Sequence, residues 1–318
     1  MQLIRDAILY IVFVTYIPMS TDLVLEIDHL TKYYRSFRAL NDVSLTVKKG
    51  QVYGFLGPNG AGKTTTIRTI LNILKPSNGE IKLFGVPITR NTVHLHERIG
   101  YIPGDVALYD HLSVKQTLDY FAALRVNRPS SRMEEMVKLF DLDLSRNTKE
   151  LSKGNRQKVA IVQAFMHDPE FYIFDEPSSG LDPLMQQVLY DLIVDEAERG
   201  KTFFISSHYL GEIQKLADVV SIIREGEIVS TMEVSKLDEQ VVHKVHVDFL
   251  QDTSPSIFND ERIQIISHDD REFILLISGN YNDFLDKITK IPIERFYAPE
   301  PSLEDYFMHF YDIKKNVG

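Results

Sequence analysis

Nine consecutive residues, GPNGAGKTT, constrain the fold of this chain more than any other stretch. They fit G-x-x-x-x-G-K-[ST], the pattern of the phosphate-binding P-loop. Glycines allow several backbone N–H groups to point into one concavity, and the positive end of the following helix adds to that anion site. The motif predicts a nucleotide site, whose candidate ligands are Gly57, Pro58, Asn59, Gly60, Ala61, Gly62, Lys63, Thr64 and Thr65.

Two side chains of the loop have specific expected tasks. Lys63 is expected to reach the β- and γ-phosphates, and the Thr64 hydroxyl is expected to hold Mg²⁺. The stretch 51–56 is predicted to be a buried strand that enters the loop, and 65–71 the helix that leaves it. An ordinary glycine-rich turn is disfavoured, because a chance match in a chain of this length has odds on the order of one per cent.

An acidic pair, Asp175 and Glu176, follows the uninterrupted apolar run 171–174. Such a run is typical of a central parallel strand, and α/β folds bind ligands at the carboxyl ends of such strands. Asp175 is predicted to hold Mg²⁺, and Glu176 to orient and deprotonate a water. Either carboxylate alone could instead cap the strand. His208, after the predicted strand 202–206, is a further candidate, although a lone histidine is more often structural.

The composition narrows the class of protein. The chain has 318 residues, enough for two domains and a sizeable core. Lys plus Arg total 35 against 45 Asp plus Glu, and the formal charge of −10 argues against a general nucleic-acid binder. The lack of cysteine excludes disulfides, thiolate metal sites and a thiol nucleophile, and it is compatible with a reducing cytoplasm.

The N-terminal stretch contains an apolar run at residues 7–17. A bilayer-spanning helix needs about 20 residues, so this run is too short to be one. It could be the apolar part of a signal peptide, but no A-x-A-like cleavage site follows it. We expect residues 1–20 to be an extension, with Met19 as the functional start, rather than an anchor.

Further motifs follow in a fixed order. Tyr34 lies 23 residues before the P-loop, where spacing alone leaves core packing and base stacking equally open. LSKGN begins at Leu151, and SSGLD occupies 178–182. Taken together, residues 23–236 resemble the nucleotide-binding subunit of ATP-binding-cassette (ABC) transporters. The resemblance covers about two thirds of the chain, with 57–64 as the Walker A motif and 171–176 as Walker B.

The resemblance implies roles for further residues. It makes Tyr34 the aromatic ring that stacks on adenine and His208 the switch histidine. His208, Glu176 and Lys63 are then the expected catalytic residues. Asp182 falls in the family's D-loop. Ser152 and Gly154 stand in the signature motif, usually LSGGQ, which meets the ATP of the opposite subunit in a head-to-tail dimer. The expected cofactors are ATP and Mg²⁺.

Two departures from the family pattern stand out. Lys153 replaces the first glycine of the signature, and Asn155 replaces its glutamine. Gly104 stands where the family has a glutamine after the strand predicted at 99–103, so no side chain there can reach Mg²⁺ or the attacking water. The neighbouring Asp105 either takes over part of that role or only caps the turn; the sequence favours neither.

The sequence predicts an α/β fold of the P-loop NTPase class, with an ABC-type antiparallel β subdomain and a helical signature subdomain in residues 21–236. Period-two alternation at 244–249, 262–267 and 272–278 predicts strands of a small C-terminal α+β domain, residues 237–318. Helices are expected near 281–290 and from 301. This layout resembles the accessory domain of ATPases that serve exporter-type permeases.

The resemblance implies an ATPase that drives a separately encoded membrane permease, since no run of about 20 apolar residues occurs in the chain. The expected partners are that permease and a second ATPase subunit, in a homodimer or heterodimer, and not nucleic acid. The expected location is cytoplasmic, at the inner face of the cell membrane. The alternative is a non-transport ABC ATPase of translation or DNA repair, which usually has two cassettes or a long coiled coil.

Overall fold

The computed structural model describes residues 22–125, 131–236, 242–278 and 282–299. These residues form three β-sheets with helices packed between and around them. The expectations for residues 1–20 and for a helix from 301 lie outside the described residues. Among the helices described, none is both long and apolar enough to cross a membrane.

The first sheet is antiparallel and has the strand order β2-β1-β4-β5. A hairpin of two long strands, β1 (Leu23–Tyr34) and β2 (Phe37–Lys48), forms most of it. The short strands β4 (Asn78–Leu83) and β5 (Val86–Pro87) extend it beyond β1. This sheet is the predicted antiparallel subdomain, although both hairpin strands are longer than the apolar runs that predicted them.

The second sheet carries the P-loop and has the order β10-β9-β3-β8-β7-β6. Its parallel strands are β3 (Val52–Leu56), β6 (Ile99–Ile102), β7 (Phe171–Asp175), β8 (Thr202–Ser207) and β9 (Val219–Arg224). The edge strand β10 (Glu227–Glu233) is antiparallel to β9. The register brings the carboxyl ends of the three central strands together, with Leu56 opposite Ser207 and Asp175 opposite Ser206.

The main helices that accompany these two sheets are, in chain order, α1 (Lys63–Ile70), α2 (Val114–Ala123), α3 (Ser131–Leu139), α4 (Lys153–Phe165), α5 (Pro183–Glu198) and α6 (Leu210–Leu216). The start of α2 is set by a capping box, in which the Ser113 hydroxyl accepts the backbone N–H of Gln116 and the Gln116 side chain accepts that of Ser113. Short 3₁₀ turns at Val93–Arg98 and Thr148–Glu150 complete the connections.

The central strands are apolar throughout because both of their faces are buried. Tyr172 and Phe174 face a cluster shared with α2 to α5, whereas Phe171 and Ile173 face a second cluster shared with α1 and the first sheet. Alternate residues of each strand therefore stabilise opposite layers. The α/β fold predicted from the sequence is confirmed.

The third sheet lies in the C-terminal part of the chain and is antiparallel, in the order β12-β13-β11-β14. Its strands are β11 (Val242–Phe249), β12 (Ile263–His268), β13 (Glu272–Ser278) and β14 (Ile293–Tyr297). One face packs on α7 (Asn282–Ile288) around Phe249, Phe258 and Phe284. The fourth strand was not predicted, since its sequence, IERFY, has too little alternation to indicate a strand.

Candidate functional site

The P-loop crosses from the end of β3 to the start of α1, where three of its glycines fit a tight backbone path. Gly60 and Gly62 have φ angles of 82° and 113°, a region that side-chain-bearing residues rarely adopt. A Cβ on Gly57 would lie 2.4 Å from the carbonyl oxygen of Ile223, which is a clash. The glycines of the motif are therefore required by the fold as well as by any bound anion.

Lys63, the first residue of α1, is buried, with only 4% of its surface exposed. Its ammonium donates to the carbonyl oxygens of Gly57 and Pro58, at 2.7 and 3.1 Å. A third neighbour is the carboxylate of Glu176, whose Oε1 lies 3.2 Å from Nζ. The ammonium is thus fixed at the mouth of the loop by groups of its own chain.

Asp175, the last residue of β7, is held by two hydroxyl groups. Thr64 Oγ1 donates to its Oδ2 at 2.7 Å, and Ser206 Oγ donates to its Oδ1 at 2.7 Å. The carboxylate is almost fully buried. Burial, together with the negative charge of Asp175, raises the pKa of the nearby Tyr101 to about 12. An anionic oxygen and a hydroxyl oxygen therefore lie side by side at the start of α1.

Glu176 follows directly and lies between the ammonium of Lys63 and the imidazole of His208. Its backbone has a φ of 51°, and its N–H donates to the carbonyl of Ser206. While Oε1 faces Lys63, Oε2 lies 3.1 Å from Nδ1 of His208. The carboxylate therefore bridges the P-loop lysine and the histidine beyond β8. Glu176 and His208 follow β7 and β8, which are neighbours in the sheet, although the two residues are more than 30 positions apart in sequence.

An open cavity of about 190 Å³ lies in front of these groups. Two aromatic rings at the tip of the first hairpin, Tyr34 and Phe37, form its outer wall and are 43% and 66% exposed. The other lining residues are Ala39, Asn59, Gly60, Gly62, Lys63, Thr64, Thr65 and Glu176. The cavity thus combines exposed aromatic faces with a basic, N–H-rich floor, which suits a nucleoside polyphosphate.

The signature and D-loop residues lie away from this cavity. Ser152 accepts the backbone N–H of Asn155 and so begins α4, and Asp182 accepts that of Met185 and begins α5. Gly154 packs on the loop before α5, where a Cβ would lie 2.6 Å from the carbonyl oxygen of Gly180. Within one chain, the structure does not bring these three candidates to the phosphate site.

Lys153, which stands in place of the usual signature glycine, contacts the same loop. Its ammonium donates to Ser179 Oγ at 2.9 Å, and its methylene groups cover Gly180. The substitution thus adds a side-chain bond between the start of α4 and the loop that follows Glu176.

Gly104 and Asp105 differ in what they approach at the end of β6. A Cβ on Gly104 would be 3.1 Å from Asp175 Oδ2, so Gly104 faces the candidate metal ligand. Asp105 is exposed, and together with Gly104 it lines a groove formed with Leu151 and the start of α4. No hydrogen bond or ion pair of the described residues joins Asp105 to Asp175, and its part in the site stays a prediction.

Comparisons with known proteins agree on one family. The family model described as "ABC transporter" matches residues 40–179. The bacitracin transport ATP-binding protein BcrA of Bacillus licheniformis is 32% identical over 301 residues, which is 91% of this chain and 97% of the relative. The ABC transporter ATP-binding protein NatA of Bacillus subtilis is 40% identical over 198 residues, which is 60% of this chain and 80% of the relative.

The chain belongs to the ABC transporter family. It is an ATP-binding subunit of that family and an ATPase. Among solved structures, an ATP-binding subunit of an ABC transporter superposes with a TM-score of 0.63 at 30% identity, over 68% of this chain and 92% of the other. A dimeric ATP-binding cassette with bound ADP and Pi shares the fold, with a TM-score of 0.61 at 22% identity.

Three residues in or beside the nucleotide cavity were not identified as site residues from the sequence. Phe37 faces Tyr34 across the hairpin, and its aromatic side chain directly after the turn was the available signal. Ser206 holds both Asp175 and the backbone of Glu176, and its position just before the candidate His208 could have indicated it. Ala39 has no side chain that would indicate a ligand.

Proposed function

We propose that this subunit hydrolyses ATP at the P-loop cavity, with Glu176 as the base that deprotonates the attacking water. The observation that carries the proposal is the bridge from Lys63 through Glu176 to His208, with separations of 3.2 and 3.1 Å. The carboxylate rests against the lysine. An incoming γ-phosphate would compete for that lysine and leave Glu176 free to accept a proton.

The residues around Thr64 fit a magnesium ion. Its hydroxyl and the Asp175 carboxylate are hard oxygen ligands, the kind that Mg²⁺ prefers, and they lie 2.7 Å apart. In the described ranges no group of three or more carboxylate or histidine side chains gathers to hold a metal, so phosphate oxygens and water would complete the coordination. The bound ion would neutralise charge on the phosphates. The protein's part is to hold Asp175 through Ser206 and Thr64.

The two exposed rings supply the base-binding part of the cavity. Tyr34 and Phe37 are opposite each other in the hairpin register, and both line the cavity beside the P-loop. Stacking of an adenine ring on an aromatic face is favourable and needs no hydrogen bond. Arg35, with a left-handed φ of 54°, makes the turn that brings the two rings together.

We further propose that each ATP is completed by a second subunit. Ser152, Gly154 and Asp182 lie outside the cavity of their own chain, so a head-to-tail pair is the arrangement in which they could contact ATP. The second subunit can be another copy of this chain or a related ATPase. ATP would close the pair and hydrolysis would reopen it, which converts binding energy into motion.

The proposed partner that uses this motion is a separate membrane permease of exporter type, at the inner face of the cell membrane. The similarity to BcrA, a bacitracin transport ATP-binding protein, and to NatA, an ABC transporter ATP-binding protein, supports an assignment to transport. Residues 237–318 are proposed to act as an accessory domain in packing or dimerisation, because the third sheet has a hydrophobic core of its own.

The test compares two carboxylates at opposite ends of β7. Glu176→Gln removes the base but retains Lys63 and Asp175, so we expect unchanged ATP affinity and a fall in kcat of at least about 100-fold. Glu170→Gln is the control, because Glu170 lies before the strand and pairs with Arg98. Glu176→Gln hydrolysing ATP at the parent rate would contradict the assignment.

A further inference from the structure

A buried carboxyl group lies behind the Glu176–His208 pair. Glu212, the third residue of α6, is only 4% exposed and does not line the nucleotide cavity. A buried acidic side chain is costly unless polar groups satisfy it. Its polar neighbours come from the two segments that carry the proposed catalytic residues.

The first of these neighbours is Ser207, which precedes His208. Ser207 Oγ donates to Glu212 Oε2 at 2.5 Å, and the same hydroxyl accepts the backbone N–H of Tyr209 at 3.0 Å. The two residues on either side of His208 are therefore tied to each other and to Glu212. Because Ser207 is fully buried at the end of β8, this arrangement limits how the chain can turn at His208.

The second group of neighbours belongs to the segment after Glu176. The hydroxyls of Ser178 and Tyr190 lie near enough to the Glu212 carboxyl to lower its pKa, although its Oε1 has no hydrogen-bond partner among the described residues. Ser178 is two residues beyond Glu176 and is itself buried. Glu212 is thus hydrogen-bonded to the strand end that carries His208 and lies beside the loop that carries Glu176.

Burial also acts on the pKa of this group. Desolvation raises the pKa of Glu212, although the hydroxyls of Ser207, Ser178 and Tyr190 and the Coulombic effect of His208 oppose the shift. The hydrogen bond from Ser207 is therefore the contact through which Glu212 acts. A glutamine can provide the same acceptor oxygen with nearly the same shape.

We propose that Glu212 is a positioning residue for ATP hydrolysis, which holds His208 against Glu176 by fixing Ser207. This inference rests on Glu176 as the proposed base and on His208 as the catalytic group that the family resemblance implies. A simpler function is that Glu212 only stabilises the start of α6, since acidic residues are common in the first turn of a helix. The two functions differ in what they predict for catalysis.

The central experiment measures kcat and ATP affinity for Glu212→Ala in two backgrounds. In the parent we expect kcat to fall at least about tenfold, with ATP affinity within about twofold, because the P-loop contacts remain. In a His208→Ala background the same substitution should cost less than about twofold, because the residue that it positions is gone. Glu212→Gln should stay within about threefold of the parent in kcat.

Two further variants separate positioning from loss of stability. Ser207→Ala breaks the same contact from the other side and should lower kcat in the same way. Glu196→Ala removes another buried carboxyl, one that pairs with Arg132 and Arg199 outside the cavity. We expect it to lower Tm but to leave the kcat of folded protein within about twofold. All rates are taken below the Tm of every variant.

A spectroscopic measurement covers the case in which the His208→Ala background is too slow to assay. The NMR signal of the His208 ring is identified by its absence from the spectrum of His208→Ala. Its chemical shift should change in Glu212→Ala and return to the parent value in Glu212→Gln. An unmoved signal in Glu212→Ala would overturn the proposal. So would an equal fold-loss of kcat in both backgrounds. If His208→Ala itself has the parent kcat, the proposed role of His208 is wrong and the inference falls with it.

Discussion

At the scale of single residues, the nucleotide cavity depends on side chains that other groups of the same chain hold in place. Lys63 is held by two carbonyl groups and by Glu176, and Asp175 is held by two hydroxyls. Pre-positioned charges cost little reorganisation when a phosphate arrives. The aromatic rings differ, since Tyr34 and Phe37 are exposed and gain burial only when a base covers them.

This difference leads to a prediction for the two rings. Tyr34→Ala and Phe37→Ala are each expected to weaken ATP binding about tenfold, because stacking on a base contributes on the order of 1–3 kcal/mol. Affinity for inorganic tripolyphosphate should not change, since it has no base. Titration calorimetry with both ligands makes the measurement. Tyr33→Ala is the control, because Tyr33 is equally exposed and lies outside the cavity. Equal losses for both ligands would contradict base stacking.

A second prediction concerns Gly104, which replaces the family's glutamine. Because a Cβ there would lie 3.1 Å from Asp175 Oδ2, Gly104→Ala should displace that carboxylate by a few tenths of an ångström. We expect the Mg²⁺ concentration for half-maximal ATPase to rise several-fold, about 1 kcal/mol in metal affinity. An unchanged Mg²⁺ requirement would show that Asp175 accommodates the methyl group.

Asp105→Asn is the matched control for the same assay. Since Asp105 lines the groove beside α4, the exchange should leave the Mg²⁺ requirement unchanged. If Asp105→Asn raises the requirement as Gly104→Ala does, then Asp105 does take over the role of the missing glutamine.

The sequence was most informative for residues whose chemistry is tied to a fixed spacing. Asp175 and Glu176 could be placed because an apolar run ends at them, and the structure puts them at the end of β7. Ser206, Phe37 and Glu212 could not be placed. Their positions depend on which strands are neighbours and on how the hairpin turns, and neither follows from the local sequence.

At the scale of secondary-structure elements, the junction between α4 and β6 contains a buried titratable group. Nε2 of His167, just beyond α4, donates to the carbonyl of Ile99 at 3.0 Å. Burial lowers the pKa of His167 to about 4. The junction is therefore built around a neutral imidazole, which ties the helix end to the edge strand of the second sheet.

A pH dependence of stability follows. Below the ordinary histidine pKa of about 6.5, His167 binds a proton in the unfolded chain but not in the folded chain. Its contribution to stability is therefore fully present above pH 6.5 and is lost as the pH falls towards 4. Between pH 7 and 5 this single group should account for about 2 kcal/mol of lost unfolding free energy. His167→Gln keeps a donor for Ile99 and should flatten the loss, as urea titrations at both pH values can measure.

The control for this prediction is His94→Gln, since His94 is exposed. It should leave the slope between pH 7 and 5 as in the parent. A parent-like slope in His167→Gln would mean that other groups cause the acid sensitivity.

Elements were predictable where periodicity and capping agree. The Ser113 capping box marks the start of α2, and the strands β11, β12 and β13 follow the period-two runs that predicted them. By contrast, β14 is recognisable only through its pairing with β11, opposite His246 and Val247. Long-range pairing overrides weak local preference there.

At the scale of the whole molecule, the residues with expected roles in catalysis fall into two separate groups. The P-loop, Asp175, Glu176 and His208 gather at the carboxyl ends of the central strands, whereas the signature and D-loop begin α4 and α5 outside the cavity. A single subunit therefore holds half of each proposed catalytic site. Assembly with a second subunit is the central claim of the proposed mechanism.

Mixing two inactive variants tests this claim most directly. Lys63→Ala disables the P-loop, and Gly154→Asp disables the signature by forcing a side chain against Gly180. Each variant alone should show almost no ATPase activity. In a mixed pair the Gly154→Asp subunit keeps an intact P-loop and meets an intact signature, so mixing should restore up to about a quarter of the parent rate. A mixture as inactive as its components would contradict a site shared between two subunits.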